Sequence, residues 1–188
     1  MNFQSIHYVI ACIVFCFISC GTKQETTTVA TKTSASIKLI TAGGTVTEIV
    51  NSLGLGDQII ATDKTSTFPA KMQGLPSIGY RNQIKAEGLL ALGADIILTE
   101  QDYLSLEVVE QLQAAGVTIH QFENKKTIEG TKELIQAIAK VLKVDEKGKA
   151  LSQRVEKNYA AAKTFQEKQT TQPKVIFVYA RGQGTMNI

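Results

Sequence analysis

From Ile37 onward the chain alternates short apolar runs with longer stretches of helical period, and this alternation restricts its fold more than any other feature. "IKLIT" is read as a buried strand. After Gly43-Gly44, "TVTEIVNSLG" sets Val46, Ile49, Val50 and Leu53 on one helical face, with Gly54 as the stop. "QIIAT", "DIILT" and "VTIHQF" are further strands. "SLEVVEQLQAAG" predicts a helix with Leu106, Val109 and Leu112 inward, and "TIEGTKELIQAIAKVL" one with Ile128, Leu134, Ile135, Ile138 and Leu142 inward. Strand following helix following strand implies an α/β fold with a mainly parallel sheet, here over 37–143.

Two stretches depart from that rhythm. Between Thr62 and Lys85 lie about twenty residues, "DKTSTFPAKMQGLPSIGYRNQI", without clear periodicity, and irregular loops of that length in compact domains tend to be functional. Phe68-Pro69 and Leu75-Pro76 stiffen the loop, while Gly79 admits a backbone angle that turns the next side chain outward. The second is "DEKGKALSQRVEKNYAAAKTFQEK", a helical pattern about 36 Å long at the α-helical rise. Its narrow stripe of Leu151, Val155, Tyr159 and Ala162 marks a strut over 144–170 rather than a core element. "KVIFVYA" is then expected to start a new buried strand within 171–188, the first of a second α/β lobe, so that the chain reads as a C-terminally truncated fragment.

The 188 residues are 44% apolar, enough for a core, and the formal charge of +3 is spread rather than gathered into basic blocks, which argues against nucleic acid as a partner. All three cysteines, Cys12, Cys16 and Cys20, fall in the first twenty residues, so the exported part is expected to need no internal disulfide. Ile6 to Ile18 is short for a membrane span but suits a signal-peptide core over 1–19. It ends in "FISCG", which resembles a bacterial lipobox with Cys20 as the lipidated residue and membrane tether. Phe17 stands where leucine is commoner, and an uncleaved anchor helix is the competing reading. Either reading puts the remainder outside the cytoplasm. The Thr-rich "GTKQETTTVATKTSAS" over 20–36 reads as a flexible linker to the bilayer.

Taken in order, "TAGGTVTEIVNSLGLGDQIIATDKTSTFP", "LPSIGYRNQIKAEGLLALGADIIL" and the long connector resemble the substrate-binding lipoproteins of bacterial ABC importers for iron complexes and cobalamin, most closely the haem-binding branch. The resemblance covers Ile37 to about Ala180. It implies two Rossmann-like lobes bridged by one long helix, with ligand held in the cleft between them. It also implies a monomer that binds haem as transported cargo, uses no catalytic cofactor and docks on an ABC importer permease. In that branch a tyrosine of a Gly-Tyr motif serves as axial iron ligand, and Gly79-Tyr80 occupies its place. A phenolate is a hard donor that favours ferric iron, and tyrosine is an established haem ligand. Tyr80 is therefore the expected iron ligand, the sole metal contact, and its competing role is a loop tyrosine capping the sheet.

Arg81 could hold a haem propionate through forked hydrogen bonds. The family pattern places its arginine two residues after the tyrosine, however, where this chain has Asn82, and a solvated Arg81 is the alternative. Arg181, at the carboxyl end of the expected second-lobe strand, is a candidate for the opposite cleft wall. Glu87 in "KAEGLLAL" matches the family's first-lobe glutamate that docks on the permease; an ordinary first-turn glutamate is the alternative. His120 is expected to be packed or hydrogen-bonded rather than to touch iron.

Cobalamin or a ferric siderophore would use the same scaffold. Siderophore sites favour several cations, whereas a tyrosine ligand suits an iron with an open axial position, which favours haem. A nucleotide-binding enzyme is the reading from another class, since "VYARGQGTMN" has a glycine-rich loop and Gly43-Gly44 precedes a helix. Its fingerprint is incomplete, with Asn187 at the sixth position, and the sequence offers no nucleophile, base and orienter set. The expected protein is not an enzyme.

Overall fold

The structure is a computed structural model that describes residues 36–171, 173–181 and 185–187. The expected leader over 1–19, with Cys20 and all but the last residue of the expected linker, lies outside the described residues. Four strands, β1 (Leu39–Ala42), β2 (Ile59–Thr62), β3 (Ile96–Glu100) and β4 (Thr118–Phe122), form one sheet in the order β2-β1-β3-β4. Every pairing in it is parallel, as expected from the alternation. The intervening helices are α1 (Gly44–Val50), α2 (Ala86–Ala91), α3 (Leu106–Ala114) and α4 (Ile128–Val141), followed by α5 (Asp145–Glu167).

Strand side chains alternate between faces, and the two faces carry separate cores. Leu39 and Leu98 pack with α1, the helical turn Asn51–Leu55 after it, α4 and the start of α5, through Val46, Leu53, Leu134, Ile138 and Leu151. Ile40, Ala42 and Ile97 face the other way, against Leu89 of α2 and Val108, Val109 and Leu112 of α3. The central β1 is completely buried, as a strand covered by helices on both sides must be.

Two expectations need correction. Leu106 does not point inward; it is 73% exposed, and Val108 joins Val109 and Leu112 in the core. Ser105 caps the helix by accepting a hydrogen bond from the Val108 amide, which places Leu106 at the first helical position. At 3.6 residues per turn, Leu106 then lies about 110° around from the centre of the buried face. The tail is the second correction. "KVIFVYA" is not a buried strand: Val175, Ile176 and Phe177 are about four-fifths exposed, and residues 174–178 carry no regular structure. A strand needs a neighbour for its amides and a layer for its side chains, and among the described residues none pairs with 174–178. Only β5 (Tyr179–Arg181) forms, antiparallel to β6 (Thr185–Asn187).

The strut is present over 23 residues. Leu151 is buried and Val155 half-buried against the lobe, whereas Tyr159 and Ala162, the outer half of the expected stripe, are exposed. The segment between β2 and α2 contains two short 3-10 turns, Ala70–Gly74 and Arg81–Gln83. It is tied back to β2 by Thr62 N–H donating to the Pro76 carbonyl at 3.1 Å and Ile78 N–H donating to the Thr62 carbonyl at 3.0 Å. No helix among the described residues is long and apolar enough to cross a membrane.

Candidate functional site

In a parallel sheet the loops that leave the strand carboxyl ends form the ligand face, and the crevice opens where neighbouring loops leave to opposite sides. Here that point lies between β1, whose chain passes to α1 on one face, and β3, whose chain passes to α3 on the other. Gly43 and Glu100 meet across it. Glu100 is held by Asn124, whose amide donates to its Oε2 at 3.1 Å, so the loops after β3 and β4 are joined as well.

Gly43 has φ 107° and ψ 129°, and a Cβ built there would come within 3.0 Å of Glu100 Oε1. The position needs glycine both for its backbone angle and for the close approach. Gly43→Ala should therefore destabilise the lobe by about 2 kcal/mol, the cost of one strained residue, read as a lowered midpoint in urea unfolding.

Beside this crevice a buried carboxylate gathers three loops. Asp63, directly after β2, is 3% exposed. Its Oδ1 accepts the Gly43 N–H at 2.9 Å and the Ser66 hydroxyl; its Oδ2 accepts the Thr65 N–H at 2.8 Å, the Thr65 hydroxyl, and the Tyr103 hydroxyl at 2.8 Å. Burial alone would raise the Asp63 pKa, but the hydrogen bonds from Ser66, Thr65, Gly43 and Tyr103 together outweigh it and hold the carboxyl below its ordinary value. The Tyr103 phenol moves the other way. Burial foremost, with the Asp63 carboxylate beside it, pushes its pKa up to about 12 against the opposing effects of Thr65 and Arg81. Thr41, Thr47 and Thr62 extend the network beneath, with Thr47 Oγ1 donating to Thr41 Oγ1 at 2.8 Å.

Tyr80 stands on the rim of this arrangement. Gly79, at φ 99°, makes the turn before it, and the Gly79 carbonyl accepts the Lys64 N–H at 3.0 Å. The Tyr80 carbonyl accepts the Gln83 N–H at 2.7 Å and closes the 3-10 turn. Its side chain is 52% exposed. Arg81 turns from Tyr80 toward the β3 loop, with its guanidinium 5.2 Å from the centroid of the Tyr103 ring and donating to the Asp102 carbonyl. The loop thus brings Tyr80 and Arg81 together with Asp63 and Tyr103, two residues that the sequence reading missed. "DKTS" directly after a strand is the missed signal, because an aspartate followed by Thr and Ser commonly accepts from its own turn.

The other candidates lie apart. Glu87 is exposed in the first turn of α2. His120, half-buried in the edge strand β4, stacks on Phe122 with ring centroids 6.4 Å apart, a packing role as expected. Arg181 ends β5. Among the described residues no group of three or more His, Cys, Asp or Glu could hold a metal ion. A cavity of about 240 Å³ lies under the loop beside Asp63, lined by Thr62, Ser66, Met72, Leu75 and Ser77. It is smaller than the roughly 300–1,000 Å³ of drug-sized ligand sites.

Comparison with known proteins gives the same architecture. The chain is 28% identical over 133 residues to the vitamin B12-binding protein of Vibrio campbellii, a match that covers 71% of this chain and 47% of that protein. The periplasmic heme-binding protein RhuT from Roseiflexus sp. RS-1 superposes with a TM-score of 0.75 at 29% identity, over 80% of this chain and 58% of that one. The periplasmic heme-binding protein HutB of Vibrio cholerae superposes with a TM-score of 0.68 at 26% identity, over 81% and 58%. The chain spans about half the length of the curated relatives it matches. A family model described as periplasmic binding protein matches residues 39–188, the whole run of strands and helices set out above, and the chain belongs to that family.

Proposed function

We propose that this chain belongs to an extracytoplasmic substrate-binding lipoprotein that delivers haem to the permease of an ABC importer. In this reading the 37–143 lobe forms one wall of the cleft and 144–170 is the connector. Residues 171–188 lead into a second lobe. Cys20 carries the lipid anchor, and Glu87 docks on the permease.

The observation that carries the haem assignment is the presentation of Tyr80. Its phenol is half-exposed at the carboxyl edge of the sheet, on a loop whose backbone is fixed by Gly79 and by the bonds to Lys64 and Gln83. A ferric porphyrin offers an open axial position to such an oxygen, and metal binding drives off the phenolic proton. Arg181 would face the ligand from the second side. The guanidinium of Arg81 is already engaged with Tyr103 and Asp102, so a propionate would have to share or displace those contacts.

Cobalamin is the second reading, supported by the relatives that bind vitamin B12. A ferric siderophore is the third. Titrating the full-length protein with hemin, cyanocobalamin and a ferric siderophore separates them. A saturable shift of the Soret band with hemin, without competition from the other two, is the expected result. Saturable binding of cyanocobalamin with no hemin shift would overturn the assignment.

A further inference from the structure

Tyr103 belongs to no motif of the sequence, yet it connects the best-held group of the lobe to the loop that carries Tyr80. Its hydroxyl donates to Asp63, whose other bonds reach the loop after β1 through Gly43 and its own turn through Thr65 and Ser66. The face of its ring supports the Arg81 guanidinium at 5.2 Å, and Arg81 is bonded directly to Tyr80. The same guanidinium donates to the Asp102 carbonyl, where the backbone turns through a left-handed residue at φ 57°. Two groups of the β3 loop thereby hold the one exposed side chain next to the proposed ligand. Tyr103 itself is poorly suited to iron, because its oxygen already gives its proton to a buried carboxylate.

We infer that Tyr103 is a positioning residue for the Tyr80 phenol: the face of its ring holds Arg81 and so fixes the direction in which the 79–83 turn offers its oxygen. This inference rests on the haem reading above. The physical basis is population. A loop that presents the oxygen correctly for only a fraction of the time binds with an affinity reduced by that fraction. An exposed cation–π contact corresponds to an effect of up to about fivefold.

The test uses the full-length protein with hemin as probe, in the wild type, Tyr103→Phe, Tyr103→Leu and Tyr80→Phe. Two quantities are read: the hemin dissociation constant, and the pH at which the iron–phenolate charge-transfer band is lost on acidification. One proton competes with iron for the oxygen, so each tenfold loss of iron–oxygen affinity raises that midpoint by about one pH unit. Tyr103→Leu should weaken binding about fivefold and raise the midpoint by about 0.7 unit. Tyr103→Phe keeps the ring and should stay close to wild type.

A midpoint unmoved in Tyr103→Leu overturns the inference, and so does an equal shift in Tyr103→Phe, which would assign the effect to the hydroxyl. If Tyr103→Leu does not fold, Arg81→Met breaks the same contact at an exposed position and must reproduce the shift; a wild-type midpoint there also overturns it. A wild type with no band at all, or a band that survives Tyr80→Phe, overturns the tyrosine ligation and this inference with it. A band lost in Tyr80→Phe but indifferent to Tyr103→Leu overturns the positioning role alone.

Discussion

Tyr80→Phe is expected to weaken hemin binding by at least about a hundredfold and to eliminate the iron–phenolate band, while leaving the unfolding midpoint of the protein unchanged. The size follows from what the substitution removes. Losing a partner that merely orients a metal ligand typically costs 10- to about 100-fold in affinity, and here the ligand oxygen itself is lost. The unchanged stability follows from the environment. The Tyr80 side chain is half in solvent, and the turn that carries it is fixed by backbone bonds at Gly79 and Gln83 that phenylalanine leaves in place. Equilibrium titration beside thermal unfolding checks both halves. Equal hemin affinity in the two proteins would remove the basis for choosing haem over another large ligand.

Asp63→Asn should lower the stability of the lobe by about 3 kcal/mol, the range for breaking hydrogen bonds to a buried charged group. A carboxylate at 3% exposure accepts from two backbone amides and three hydroxyls. An amide in its place has one acceptor oxygen and turns two hydrogens toward donors, so several of these groups lose their partner where water cannot replace it. At this chain length the change should appear as a fall in Tm of roughly 10 °C.

The pH dependence gives a second signature. The folded carboxyl titrates below its ordinary value of 3.8. Between those two values the unfolded chain binds the extra proton, so stability rises with pH there. The contribution is complete above about pH 4 and is lost as the pH falls through the folded value. The gap between wild type and Asp63→Asn should accordingly narrow below about pH 4 and stay constant from there to neutrality. A gap independent of acid would mean that the destabilisation comes from shape rather than from charge.

The sheet and its helices were legible because their signals are local. β1 is bounded by Lys38 before it and by Gly43-Gly44 after it, and α4 sets Leu134, Ile135 and Ile138 on one side within two turns. The outward presentation of Tyr80 was legible too, through Gly79 in a proline-stiffened loop, whereas a ligand role for it came from the family resemblance alone. The Asp63 cluster was not, since its donors stand 20, 2, 3 and 40 positions away, and only the folded sheet brings Gly43 and Tyr103 to one carboxylate. Leu106 was misplaced because periodicity fixes the angles between residues but leaves the first turn ambiguous until the cap is known. The run at 174–178 was misread for a different reason. Apolarity indicates which side chains gain from burial, whereas burial itself depends on a neighbouring surface that those residues do not contain.

That uncovered run has a practical side. Val175, Ile176, Phe177 and Val178 form a short, uncharged, β-prone stretch bounded only by Lys174. Such a stretch, with its amides unpaired, is a template on which further molecules can stack. One charged replacement among these four exposed side chains should then reduce self-association of this polypeptide at high concentration, as read by light scattering.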